Sequence, residues 1–108
     1  MNQVKRVLDH VGSRAEKFFK ATLFQGEMLL LGVNCLEPGQ MQAPHVHDDQ
    51  DKFYYVVEGE GRFWLGEEQV EAGEGQVVWA AAGVRHGVEN VTGTRLTLLV
   101  GMAPPPAG

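Results

Sequence analysis

Fourteen glycines, spaced so that they bound short runs of alternating apolar and polar residues, constrain the fold of this 108-residue chain more than any other feature. An amphipathic helix needs about three uninterrupted turns to present a core-facing stripe, and such stretches are scarce here. Short strands separated by glycine-containing turns read instead as an all-β sandwich or barrel. Residues 28–36 form an almost unbroken apolar run, which fits a strand buried on both faces, and Pro38 and Gly39 end it as a turn. Further strands are expected over 52–57, 61–65, 69–71, 76–80, 87–91 and 94–102. The first two of these join across Glu58-Gly59-Glu60, read as a short hairpin connection, and a second hairpin turns through Gly66-Glu67-Glu68. In the last strand Leu96, Leu98 and Val100 share a face that Arg95 and Thr97 oppose.

A length of 108 residues suits one domain, which these strands assign to residues 18–102. Residues 1–17 form an N-terminal segment in which Val4, Val7, Leu8 and Val11 match a helical spacing that Gly12 cuts short. A short helix and a strand, the latter able to serve dimerisation, both stay open there. Phe18, Phe19, Leu23 and Phe24 are too apolar to be left bare, so they cap the core or meet a second subunit. With the sheet edges of a small barrel to protect, a homodimer is expected. Residues 103–108 carry three prolines without N–H donors, which predicts an extended, mobile tail.

Composition narrows the partners. The formal charge is −5, with no cluster of basic residues beyond Lys5-Arg6, which argues against nucleic acid and anionic membrane. Nothing approaches the ~18 apolar residues of a membrane span, and the first residues lack the apolar core of a signal peptide, so a soluble cytoplasmic protein is expected. Cys35 is the single cysteine and lies in an apolar run, which suits a buried, inert thiol. A small-molecule ligand is the expected partner.

Candidate chemistry gathers on histidine. His45 and His47, in Pro44-His45-Val46-His47, are spaced i, i+2, so on an extended segment both imidazoles point to the same face. Such pairs also occur on solvated sheets, but here a third imidazole, His86, stands in a separate glycine-bounded segment. Tyr54 and Tyr55 alternate, so one ring faces inward and the other outward. Trp64 and Trp79, on what read as neighbouring strands, suit packing. Glu58, Glu60, Glu67, Glu68 and Glu71 read as a solvated rim, His10 as a surface residue and Asn90 as a turn or backbone cap.

The histidines lie within two motifs that resemble the signature motifs of the cupin superfamily. The first begins at Gly39, passes His45 and His47 and closes at Gly59; the second begins at Gly75, passes Gly83 and His86 and closes at Asn90. The resemblance covers residues 39–59 and 75–90, and implies a small single-domain cupin: an all-β, double-stranded antiparallel β-barrel of jelly-roll type with little or no helix. It further implies one divalent metal held by both histidines and a Glu of the first motif and by the histidine of the second.

Two positions depart from that pattern. Ala81 replaces a proline of the second motif, a turn detail, and Lys52 occupies the position of the metal-binding Glu. An ammonium roughly 5 Å from a divalent ion at an effective dielectric of ~20 meets a repulsion of about 6–7 kcal/mol. Removing its proton at neutral pH costs about 4–5 kcal/mol from a reference pKa near 10.4. Three histidines still suffice for a metal with open coordination positions, and Asp51 offers a fourth ligand if its loop bulges by one residue. Strand alternation sends Lys52, Tyr54 and Val56 to one face, toward the histidines, which makes Lys52 and Tyr54 candidate substrate-binding residues.

Three functional classes follow. The first is an enzyme with Fe, Mn, Ni, Cu or Zn on His45, His47 and His86, for which the resemblance implies oxygenase, isomerase or decarboxylase chemistry. The second is a metal-free barrel, a binding module or sensor for an anion or sugar-like ligand, with Lys52 as the charge partner. The third is a subunit of a larger assembly with a vestigial pocket. The residues do not decide between enzyme and binding protein.

Overall fold

Alternation of apolar and polar residues carries through into nine antiparallel strands among residues 2–106, the part of the chain that the computed structural model describes. They are β1 (Phe19–Gln25), β2 (Leu30–Leu36), β3 (Met41–His45), β4 (Asp51–Glu58), β5 (Glu60–Leu65), β6 (Glu68–Gly73), β7 (Val77–Ala80), β8 (His86–Glu89) and β9 (Leu96–Ala103). Five form one sheet in the order β1-β2-β9-β4-β7, and four form a second in the order β3-β8-β5-β6. The inner faces close on a core that includes Leu36, Tyr54, Val56, Phe63, Val78, Val88, Leu96, Leu98 and Val100. The fold is an all-β cupin-type barrel, as the resemblance implies.

The N-terminal ambiguity resolves into a single 3₁₀ turn at Val7–His10, with no strand among residues 2–17. Val7 and Val11 pack with Phe19 and Phe24 over Leu23, Val33 and Cys35, a cluster separate from the barrel core. This explains the apolar run of β2: one face meets the barrel interior and the other this cover. Phe18 packs against the main core. The phenylalanines therefore cap their own chain, which removes them as the surplus that would drive dimerisation.

Two expectations about neighbours are corrected. The connection at Glu58-Gly59-Glu60 is not a hairpin, because β4 pairs with β7 and β9 whereas β5 pairs with β6 and β8. Gly59 instead carries the chain from one sheet to the other, with φ +88° and a Cβ position that would collide with the Arg95 carbonyl oxygen, so neither its dihedral nor its space admits a side chain. Trp64 and Trp79 likewise stand on strands of different sheets and are not neighbours. The second hairpin holds: β5 and β6 pair with Leu65 opposite Glu68 across Gly66-Glu67.

Past β9 the tail folds back. The buried Gln50 donates its side-chain N–H to the Pro104 carbonyl at 2.9 Å. The tail expectation for Ala107 and Gly108 lies outside the described residues.

Candidate metal centre

Two antiparallel neighbours, β3 and β8, place His45 directly opposite His86. Their close approach depends on Gly87, where a Cβ would lie 2.8 Å from both the Gln42 carbonyl oxygen and the Pro44 nitrogen. His47 follows β3 on the loop whose carbonyl accepts from the Gly83 N–H at 2.9 Å, tying the two motif segments together. The ring centroids lie 4.6 Å (His45–His47), 4.5 Å (His45–His86) and 5.6 Å (His47–His86) apart. One ring nitrogen from each falls within 4.8 Å of the others, so the three could hold one ion.

Backbone carbonyls set the tautomers. His45 Nδ1 lies 3.0 Å from the Ala43 oxygen and His86 Nδ1 lies 2.9 Å from the Val84 oxygen. A carbonyl can only accept, so in each ring Nδ1 carries the proton and the neutral ring keeps its lone pair on Nε2. His86 Nε2 is buried and has no hydrogen-bond partner. An orphaned buried acceptor beside two further imidazoles is the donor set a divalent metal satisfies. Burial is the main cause that pushes the His86 imidazole down to about 4, with Lys52 and the other two histidines adding to it against the Val84 hydrogen bond. His47 is lowered by burial, then by His45 and Lys52, while Asp49 opposes the shift. Burial thus disfavours the charged form of His47 and His86, and the neutral imidazole is the ligating form.

The remaining candidates divide. Asp51 does not join the histidines; its carboxylate accepts from the Ala82 N–H at 2.9 Å, on the strand face opposite Lys52. The bulge that would have made it a fourth ligand is absent from β4, which alternates strictly from Asp51 to Val56. Lys52 faces inward, 3% exposed, with Nζ 4.8 Å from the Tyr54 ring centroid. Burial first, and Lys20 second, bring its amine down to about 8. Tyr54 is fully buried between Phe63 and His86, and its phenol donates to Gln42 Oε1 at 2.7 Å. Burial holds that phenol protonated, above its ordinary range. Tyr55 faces outward. Cys35 is buried, and Asn90 caps backbone by donating to the Leu36 and Thr94 carbonyls, each at 2.8 Å.

Gln42 and Asn34 went unflagged in the sequence. Both line a cavity with Lys52. Gln42 lies three residues before His45, so strict alternation sets them on opposite faces; a register shift between the two puts both inside. Asn34 alternates with Val33 and Cys35 on β2, a signal that a polar residue within an apolar run could have supplied.

A family model for the cupin domain matches residues 32–102. Among proteins of curated function, none matches the chain. Of solved structures, TT1209 from Thermus thermophilus is 38% identical with a TM-score of 0.94, the match covering 97% of this chain and 100% of that one. A double-stranded β-helix domain protein from Klebsiella pneumoniae shares the fold at 22% identity and TM-score 0.92, over 100% of this chain and 95% of its own. A predicted oxalate decarboxylase from Thermotoga maritima is 26% identical with a TM-score of 0.75, over 80% of this chain and 79% of its own. Two motifs, the barrel topology and these matches agree, and the chain belongs to the cupin family.

Proposed function

We propose that the barrel holds one divalent transition metal on His45, His47 and His86 and a small-molecule substrate beside it, as a metal-dependent oxygenase or isomerase of the cytoplasm. The observation that carries this reading is the buried His86 Nε2 without a protein partner, aimed among two other imidazoles. Imidazole ligands suit Fe, Mn, Ni, Cu or Zn, and three of them leave coordination positions open. A bound metal would supply Lewis-acid or redox chemistry at those positions. The chain's own residues orient and seal: Ala43 and Val84 fix the rings, while Tyr54 forms a buried wall next to His86. Similarity to a protein described as a predicted oxalate decarboxylase adds decarboxylation of a small acid to the candidate reactions. A lone buried thiol with no disulfide to form fits a reducing compartment.

A second reading has its own support. Lys52 is buried inside the barrel, where its charge opposes a metal and favours an anionic or sugar-like ligand bound without one. Elemental analysis of protein purified without an affinity tag, then dialysed against each candidate metal, separates the two. About one equivalent per chain, lost in His86→Ala, is the expected result. No retained metal in any dialysis would remove the enzyme reading and leave the binding barrel.

A further inference from the structure

Next to Lys52 the barrel holds a cavity of about 200 Å³. Its polar wall is made by Lys52, Lys20, Thr22, Asn34 and Gln42, and Val100 and Met102 form part of the apolar side. Lys52 is 3% exposed and Asn34 5% exposed. The ion pairs among the described residues join Arg6 to Asp9, Arg62 to Glu71 and Arg95 to Glu37, and none of these six residues lines the cavity. Among the described residues no carboxylate lines it either. Two lysines thus line one cavity, the inner of them against a tyrosine ring and without a counter-ion among the described residues. A buried ammonium is costly unless an anion accompanies it, so this arrangement is incomplete without a ligand.

We propose that the missing counter-ion is the ligand: the cavity takes a small carboxylate, seated on Lys52 Nζ, with Lys20 on its other side and the amides of Asn34 and Gln42 donating to its remaining oxygens. Gln42 accepts from the Tyr54 phenol through Oε1, which leaves its N–H groups for the cavity. The volume equals that of six or seven waters at about 30 Å³ each. A dicarboxylate or hydroxy acid of three or four carbons is of that size. The inference rests on the reading that a small molecule binds in the barrel, and it does not require the metal.

Calorimetric titration of the metal-stripped protein with malonate and with malonamide, its uncharged isostere, tests the site. Malonate is expected to bind one per chain, at least ~10-fold more tightly than malonamide, because an ion pair in a water-poor site exceeds a neutral hydrogen bond. Lys52→Met should lose ~10-fold or more of that affinity, and it is expected to fold because an apolar chain of similar length replaces a buried cation. Lys20→Met, at an exposed strand position, should weaken binding severalfold and serves as a second variant. Equal binding of the two probes, no malonate binding to the stripped protein, or unchanged affinity in both variants would overturn the proposal. Repeating the titration with Zn²⁺ added keeps the two readings apart. Malonate binding that requires Zn²⁺ and ignores Lys52→Met overturns the lysine site while leaving the metal reading intact. Malonate binding to a protein that takes no metal upholds the lysine site and removes the metal.

Discussion

Lys52 lies where alternation from Val56 and Tyr54 sends it, inside the barrel, and an ammonium there bears on stability as well as on metal affinity. Its folded value of about 8 lies below the ordinary 10.5. Above the ordinary value both states are neutral. As pH falls from 10.5 toward 8 the unfolded chain takes up the proton first, so the contribution to stability falls, and below 8 the loss is complete. At 1.36 kcal/mol per pKa unit the window amounts to about 3 kcal/mol. Urea unfolding of wild type and Lys52→Met from pH 7 to 10.5 should show the variant more stable at pH 7 and the two converging as pH rises; parallel profiles would contradict the buried amine. The acid side follows the same linkage. His86, held down to about 4 against an ordinary 6.5, stays neutral in the fold while the unfolded chain protonates, so the metal-free protein loses stability as pH falls across that window. His86→Gln should flatten that limb. A further consequence concerns metal: Lys52→Glu replaces a repelling cation with an anionic ligand and should raise Mn²⁺ or Zn²⁺ affinity ~10-fold or more, with Lys52→Met raising it less. Equal affinity of wild type and Lys52→Glu in calorimetry would remove the idea that this amine opposes the ion.

Strands position these residues through contacts that single positions do not reveal. β8 lies between β3 and β5, and at Gly87 its backbone approaches β3 so closely that only hydrogen fits. The neighbouring atoms are backbone, which cannot rotate away. Gly87→Ala should therefore cost about 1–3 kcal/mol, as other overpacked sites do, and should separate His45 from His86 enough to weaken metal binding several-fold. Gly93→Ala, with open space around its Cβ position, is the matched control and should change neither. Denaturant midpoints together with metal titrations check both, and an unchanged affinity in Gly87→Ala would show that the histidine geometry does not depend on that approach. The histidine pair itself was legible, because i, i+2 spacing is a local property of an extended segment. Gln42 was not, because the register shift between it and His45 is made by pairing with β8, a contact more than forty residues away in sequence.

For the whole molecule we propose a homodimer through the outer face of the five-stranded sheet. β7 is an edge strand there, with Val77 (61% exposed) opposite the exposed Tyr55 of β4 and Trp79 (57%) opposite Phe53. An apolar edge of this kind is normally covered. Sedimentation equilibrium should give twice the 11.8 kDa chain mass at micromolar concentration, and Trp79→Lys should shift it toward the monomer; a wild-type monomer throughout would refute the interface. The phenylalanines near the N-terminus suggested association from sequence, yet Phe19 and Phe24 cover Val33 and Cys35 of their own chain and Phe18 packs on the barrel core, because which apolar surface remains bare is known only after packing. By itself the sequence determined the fold class, the strands that alternate strongly and the three imidazoles, since glycine turns, period-two patterning and motif spacing are all local signals. Tertiary structure alone decided that Gly59 is a crossing between sheets, that Asp51 turns to Ala82, and that Lys52 faces a cavity with no carboxylate beside it among the described residues. Those outcomes depend on which distant strands pair and on what they leave across the interior, and no spacing along one chain encodes that directly.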